Sequence, residues 1–91
     1  MNIRRILVSG RVQGVGYGAW TAEQARSLGI DGWVRNRRDG TVEILAAGHE
    51  ESVDALAGRC REGPRMARVD SVSVVPCDEE APEGFEQRPT V

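Results

Sequence analysis

The sequence predicts an α+β fold, a two-layer sandwich in which two helices cover one face of an antiparallel sheet. Its 91 residues, 40% hydrophobic and 29% charged, suit one compact domain over positions 1–91. A chain this short buries only about 60–65% of the surface its unfolded form exposes, enough for two layers and not three. Eleven valines against four aromatic residues favour pleated surfaces over a large aromatic core. The apolar residues change period along the chain in the order strand, helix, hairpin, helix, strand.

Arg4 to Gly10, with Ile6, Leu7 and Val8 at its centre, reads as a short central strand that stops at glycine. Gly10-Arg11-Val12-Gln13-Gly14-Val15-Gly16-Tyr17-Gly18 follows, a loop with glycine at four of nine positions and so built for unusual backbone angles. From Ala19 the pattern is helical: Ala22, Ala25 and Leu28 recur about one turn apart, Glu23 and Arg26 point outward, and Gly29 supplies the C-terminal cap. The alanine-rich stripe places this helix close against a sheet. Ile30 to Arg38 and Thr41 to Ile44 are strand-like runs joined at Asp39-Gly40, the strongest short-range hairpin signal in the chain. Val53, Leu56, Ala57 and Cys60 keep the spacing of a second amphipathic helix, which His49 precedes and Gly63-Pro64 ends. Val69, Val72, Val74 and Val75 form a valine-rich strand whose phase slips between 69 and 72, the mark of a bulge or a bend. Asp78 to Glu83 is an acidic loop, and Phe85 to Val91 can add a short edge strand. With both helices crossing between strands on the same face, the arrangement is a ferredoxin-like sandwich.

Several function classes are disfavoured. The aliphatic run Ile6 to Val8 is far short of the roughly 20 residues that span a bilayer. No apolar stretch of signal-peptide length follows Arg4 and Arg5, so a cytoplasmic location without a membrane partner is expected. Cys60 and Cys77, with a single histidine in the chain, fit neither a zinc site nor a disulfide framework, so no metal is expected. Cys60 belongs in the core and Cys77 near a strand end. The net charge of −2 is unevenly spread: seven arginines face two acids up to residue 38, and five face twelve acids beyond it. That asymmetry fits either an anion-binding side or a mixed solvated surface. Nucleic-acid binding through the sheet is disfavoured by the acidic balance and by the scarcity of aromatics for base stacking.

A glycine-rich loop that opens a helix presents several backbone N–H groups to one point beside the positive end of the helix dipole, which makes it a natural phosphate cradle. It is no Walker loop, because Gly-Lys-Ser/Thr is missing, and Gly14, Gly16 and Gly18 do not complete the dinucleotide pattern. On the residues alone the loop is either an anion cradle or a tight turn. Asn36, a residue type depleted in strands, is either a site residue or a pre-turn side chain bonded to local backbone.

Gly10-Arg11-Val12-Gln13-Gly14-Val15-Gly16-Tyr17, then Leu28-Gly29, Gly32-Trp33-Val34-Arg35-Asn36-Arg37-Arg38-Asp39-Gly40-Thr41-Val42-Glu43 and Gly63-Pro64 resemble the acylphosphatase family in order and spacing over nearly the whole chain. The resemblance implies a fifth edge strand at Phe85 to Val91 and hydrolysis of acyl phosphates to carboxylate and phosphate without metal or cofactor. It implies that backbone N–H groups of Gln13, Gly14, Val15, Gly16 and Tyr17 hold the phosphate and that Asn36 holds the attacking water. The expected partners are a small-molecule acyl phosphate and inorganic phosphate, and the expected state is a monomer. One position departs: the family places an arginine directly after the loop aromatic, where this chain has Gly18, which implies impaired turnover. Alternation sends Arg35 and Arg37 to the face opposite Asn36 and leaves Arg11 and Arg38 as conceivable substitutes, with surface solvation the favoured reading of each. The alternative function is a non-catalytic phosphate-binding module of the same fold.

Overall fold

In the structure, a computed structural model that describes residues 2–91, the chain forms β1 (Asn2–Arg11), α1 (Tyr17–Ser27), β2 (Asp31–Asn36), β3 (Val42–Gly48), α2 (Glu50–Cys60), β4 (Arg68–Pro76) and β5 (Phe85–Gln87). The strands make one sheet in the order β4-β1-β3-β2-β5. Alternation along each strand sends Ile6, Val8, Val34, Val42, Ile44 and Ala46 into a core shared with Ala22 and Ala25 of α1 and Val53, Leu56 and Cys60 of α2. The register pairs Ile6 and Val34 with Ile44 from either side, so the three inner strands present one continuous apolar face to the helices.

The four longer strands pair antiparallel, as the sequence predicts, but β5 joins β2 in parallel and makes the sheet mixed. The cause is the route of the chain. β4 ends at the end of the sheet where β2 begins, so a segment that crosses that end must then run alongside β2 in the same direction. Pairing continues past β5: the Arg88 N–H donates to Val34 O at 2.9 Å and the Val91 N–H to Asn36 O at 3.2 Å. The phase slip in the valine-rich strand is a bulge. Ser9 pairs with Ser71 and Gly10 with Val69, which leaves Asp70 without an opposite residue. Helix α1 begins at Tyr17, one half-turn before the apolar pattern does, because the Trp20 N–H already bonds Gly16 O at 3.0 Å. Cys60 is buried and Cys77 follows the end of β4.

The sheet face away from the helices carries a charged layer of its own. Glu43, its side chain 4% exposed, accepts from Arg35 Nε at 2.8 Å and Arg37 Nη1 at 3.1 Å, and Arg5 Nε lies 3.0 Å away. Beside it Trp33 is buried beneath the guanidinium groups of Arg35 and Arg88, which stand 4.3 and 5.1 Å from its ring centre. Burial alone would raise the Glu43 pKa, but the hydrogen bonds and charges of Arg35 and Arg37 outweigh it and hold the carboxyl below its ordinary value. A depressed folded-state pKa contributes stability that is present above the unfolded pKa and lost as pH falls through the folded one. Glu43→Gln should therefore cost about 2 kcal/mol near neutrality and less in acid, where the parent carboxylate is itself protonated. Urea unfolding of both proteins across that range checks this; an equal loss at neutral and acid pH contradicts it.

Candidate active site

The loop between β1 and α1 is anchored at both ends. Val12 and Tyr17 are buried, and the Tyr17 hydroxyl donates to Cys60 O at 2.7 Å. Burial pushes the phenol far above its ordinary pKa, with contributions from Cys60, so it stays a protonated structural donor. Between these anchors Gly14 and Gly16 take positive φ angles of 75° and 77°, a left-handed conformation that glycine adopts without strain. Among the described residues, no backbone N–H from Gln13 to Ala19 donates to a backbone carbonyl. This set includes the first-turn donors that any helix leaves unsatisfied, beside the positive end of the α1 dipole. The Gln13 side chain ties the loop to the hairpin, its Nε2 donating to Arg37 O at 2.7 Å and Thr41 O at 2.9 Å, just beyond Asn36.

A cavity of about 240 Å³ lies where the start of α1, the end of β2 and the C-terminal segment meet. Gly16, Gly18 and Ala19 line one side, and Val34, Arg35 and Asn36 another. Of the five loop residues that the sequence singles out, only Gly16 lines this cavity. Gln13 and Tyr17 commit their side chains elsewhere, Val15 packs against the core and Gly14 is exposed. What those four offer a ligand is backbone alone. Asn36 lines the cavity with a carboxamide that makes no hydrogen bond among the described residues, so it is not the locally bonded pre-turn side chain that a loop-edge asparagine often is.

Gly18 sits inside α1 with ordinary helical backbone. The two arginines that the sequence offers as substitutes, Arg11 and Arg38, are exposed and do not line the cavity. Arg35 does line it, but its guanidinium is engaged by Glu43 and Trp33 on the opposite face, as alternation requires. The third wall is one that the sequence reading treats only as an edge strand: Gln87, Arg88 and Thr90. The signal for it was present in part, since counting by twos from an apolar Phe85 puts residue 87 on the helix side of the sheet.

The molecule is thus a ferredoxin-like α+β sandwich with a small polar cavity at one end of its first helix. A family model described as Acylphosphatase matches residues 4–87. The chain is 53% identical over 88 residues to an acylphosphatase of Rhizorhabdus wittichii, an alignment spanning 97% of this chain and 89% of that protein. It is 50% identical over 86 residues to an acylphosphatase of Rhodospirillum rubrum, spanning 94% of each. The crystal structure of acylphosphatase from Bacillus subtilis superposes with a TM-score of 0.92 at 36% identity, covering 97% of this chain and 99% of that one. This chain belongs to the acylphosphatase family. Among the described residues no helix is long and apolar enough to cross a membrane.

Proposed function

We propose that this chain hydrolyses small acyl phosphates to a carboxylate and inorganic phosphate. The observation that carries the reading is the meeting, in one cavity, of Gly16, Gly18 and Ala19, whose backbone N–H groups are uncommitted, with an unpartnered Asn36 carboxamide, in a chain of this family. The N–H groups of Gln13, Gly14, Val15, Gly16 and Tyr17 hold the phosphoryl oxygens with the help of the α1 dipole. Asn36 orients a water whose oxygen attacks phosphorus. The P–O bond to the acyl group breaks, its electron pair leaves with the carboxylate, and the water proton passes to the phosphate or to solvent. A carboxylate leaves without being protonated, so positioning the water and stabilising the phosphoryl group suffice. The steps use only backbone donors, one carboxamide and water. The cavity volume, below that of a pocket for drug-sized ligands, supports a small substrate.

Gly18 favours a second reading, a module that binds phosphate without turning over, because a cationic donor is absent where the family has one. Titration with inorganic phosphate and an assay with acetyl phosphate separate the two. Amide chemical shifts from Gln13 to Tyr17 should move at millimolar phosphate, and acetyl phosphate should be cleaved slowly but faster than it decays in buffer. Shifts without cleavage establish the binding module. A loop whose amides do not respond to phosphate overturns the cradle in both readings.

A further inference from the structure

We infer that Gln87 is a substrate-contacting residue, its side-chain amide donating to the phosphoryl group from beside position 18, where this chain has glycine after the loop aromatic. This rests on the hydrolase reading and deepens it. Strand β5 fixes the placement. The parallel register sets Gln87 beside Val34, whose side chain lies in the core on the helix side, while Glu86 falls beside Trp33 on the other face. Gln87 is thereby aimed at the first turn of α1. Its Oε1 lies 3.2 Å from where a Cβ at position 18 would stand, and it lines the cavity together with Gly16 and Asn36. Among the described residues its amide has no hydrogen-bond partner and the side chain is exposed, so its donors are uncommitted.

The nearby cations do not compete for the role. The Arg88 guanidinium is held by Glu86 at 2.9 Å and stacked over Trp33, and Arg35 is held by Glu43 at 2.8 Å. The carboxamide of Gln87 can present either end to the cavity by rotating its last torsion, which turns the two N–H donors toward an anion with no change in backbone. Gly18 leaves open the space this requires. Residues 18 and 87 thus form a pair, in which a neutral donor from the C-terminal segment stands beside the place that a charged one from the helix would otherwise take.

The test uses the full chain with Gln87→Leu, which keeps bulk and removes the donors, and Gln87→Glu, which adds a repelling charge. Two quantities are read, kcat/KM for acetyl phosphate and Kd for inorganic phosphate from amide shifts. Gln87→Leu should lower kcat/KM and weaken phosphate binding each by about tenfold, the scale of one hydrogen bond to a charged group. Gln87→Glu should lower both further. Values for both variants within about twofold of the parent overturn the assignment, because a group that touches substrate must move at least one of them. If the parent cleaves acetyl phosphate and the variants match it, this inference falls while the hydrolase reading stands. If the parent cleaves nothing yet Gln87→Leu weakens phosphate binding, the hydrolase reading falls and the contact stands.

Discussion

Gly18→Arg should raise acyl phosphate turnover by at least about a hundredfold, a conservative share of what arginines contribute in phosphoryl-transfer sites. The expectation rests on where the residue sits. Gly18 has helical backbone and lines the same cavity as Gly16 and Asn36, so an arginine needs no change of loop conformation to reach a bound phosphoryl group. The one obstacle is Gln87, whose side-chain oxygen is 3.2 Å from the new Cβ, and that is the far end of a flexible, exposed side chain. A guanidinium there follows charge as it moves onto the phosphoryl and leaving oxygens, which stabilises the transition state more than the ground state. Stability should hardly change. Arg is a better helix residue than Gly by up to about 1 kcal/mol, whereas a cation in the first turn opposes the helix dipole by about 0.3–1 kcal/mol. Acetyl phosphate kinetics and thermal unfolding of the variant check both parts. A folded variant that binds phosphate but shows no gain would mean that another group already supplies the charge, or that hydrolysis is not the role.

Most of the fold was legible because its signals are local. An apolar run stopping at glycine marked β1, the stripes Ala22, Ala25, Leu28 and Val53, Leu56, Ala57, Cys60 marked α1 and α2, Asp39-Gly40 marked the hairpin, and the slip before Val72 marked the bulge at Asp70. What escaped depends on distant parts of the chain. The direction of β5 is set by the end of the sheet at which β4 leaves off, which no local pattern encodes. Trp33 falls in a strand-like run, but nothing local shows that it is buried on the face away from the helices by two arginines, one of them 55 positions distant in the sequence. The first turn of α1 was hidden because Gly18 contributes neither helix propensity nor an apolar side chain. At the site, alternation separated Asn36 from Arg35 and Arg37 correctly, since both arginines meet Glu43 on the opposite face. Gln87 could not be assigned without its register on β2, and Arg11, which opens the loop, and Arg38, which alternation leaves on the Asn36 side, lie outside the cavity because proximity to the motifs along the chain is not proximity in space.

Asn36→Ala should lower kcat by about 10² to 10³, the scale for removing one preorganised donor from a transition state, while leaving phosphate affinity nearly unchanged. The structure makes this a clean substitution. Asn36 is the last residue of β2, and its backbone is fixed independently of its side chain, by pairing with Val42 and by accepting the Val91 N–H at 3.2 Å. Its carboxamide bonds no other described residue, so alanine severs no network and leaves no buried partner unsatisfied. The effect on stability should stay within about 0.5 kcal/mol, as for other surface substitutions free of such features. The cradle that anchors the phosphate belongs to a different segment, held by Val12, Tyr17 and the bonds of Gln13 to Arg37 and Thr41 carbonyls, none of which involves the Asn36 side chain. Binding and turnover are therefore separable at this position. Where the parent is too slow to measure accurately, the comparison is made in the Gly18→Arg background, in which a loss of that size is easily read. A folded Asn36→Ala protein with undiminished kcat would place the attacking water under the control of another residue, and Gln87 would be the first to test, because it faces the same cavity from the C-terminal segment.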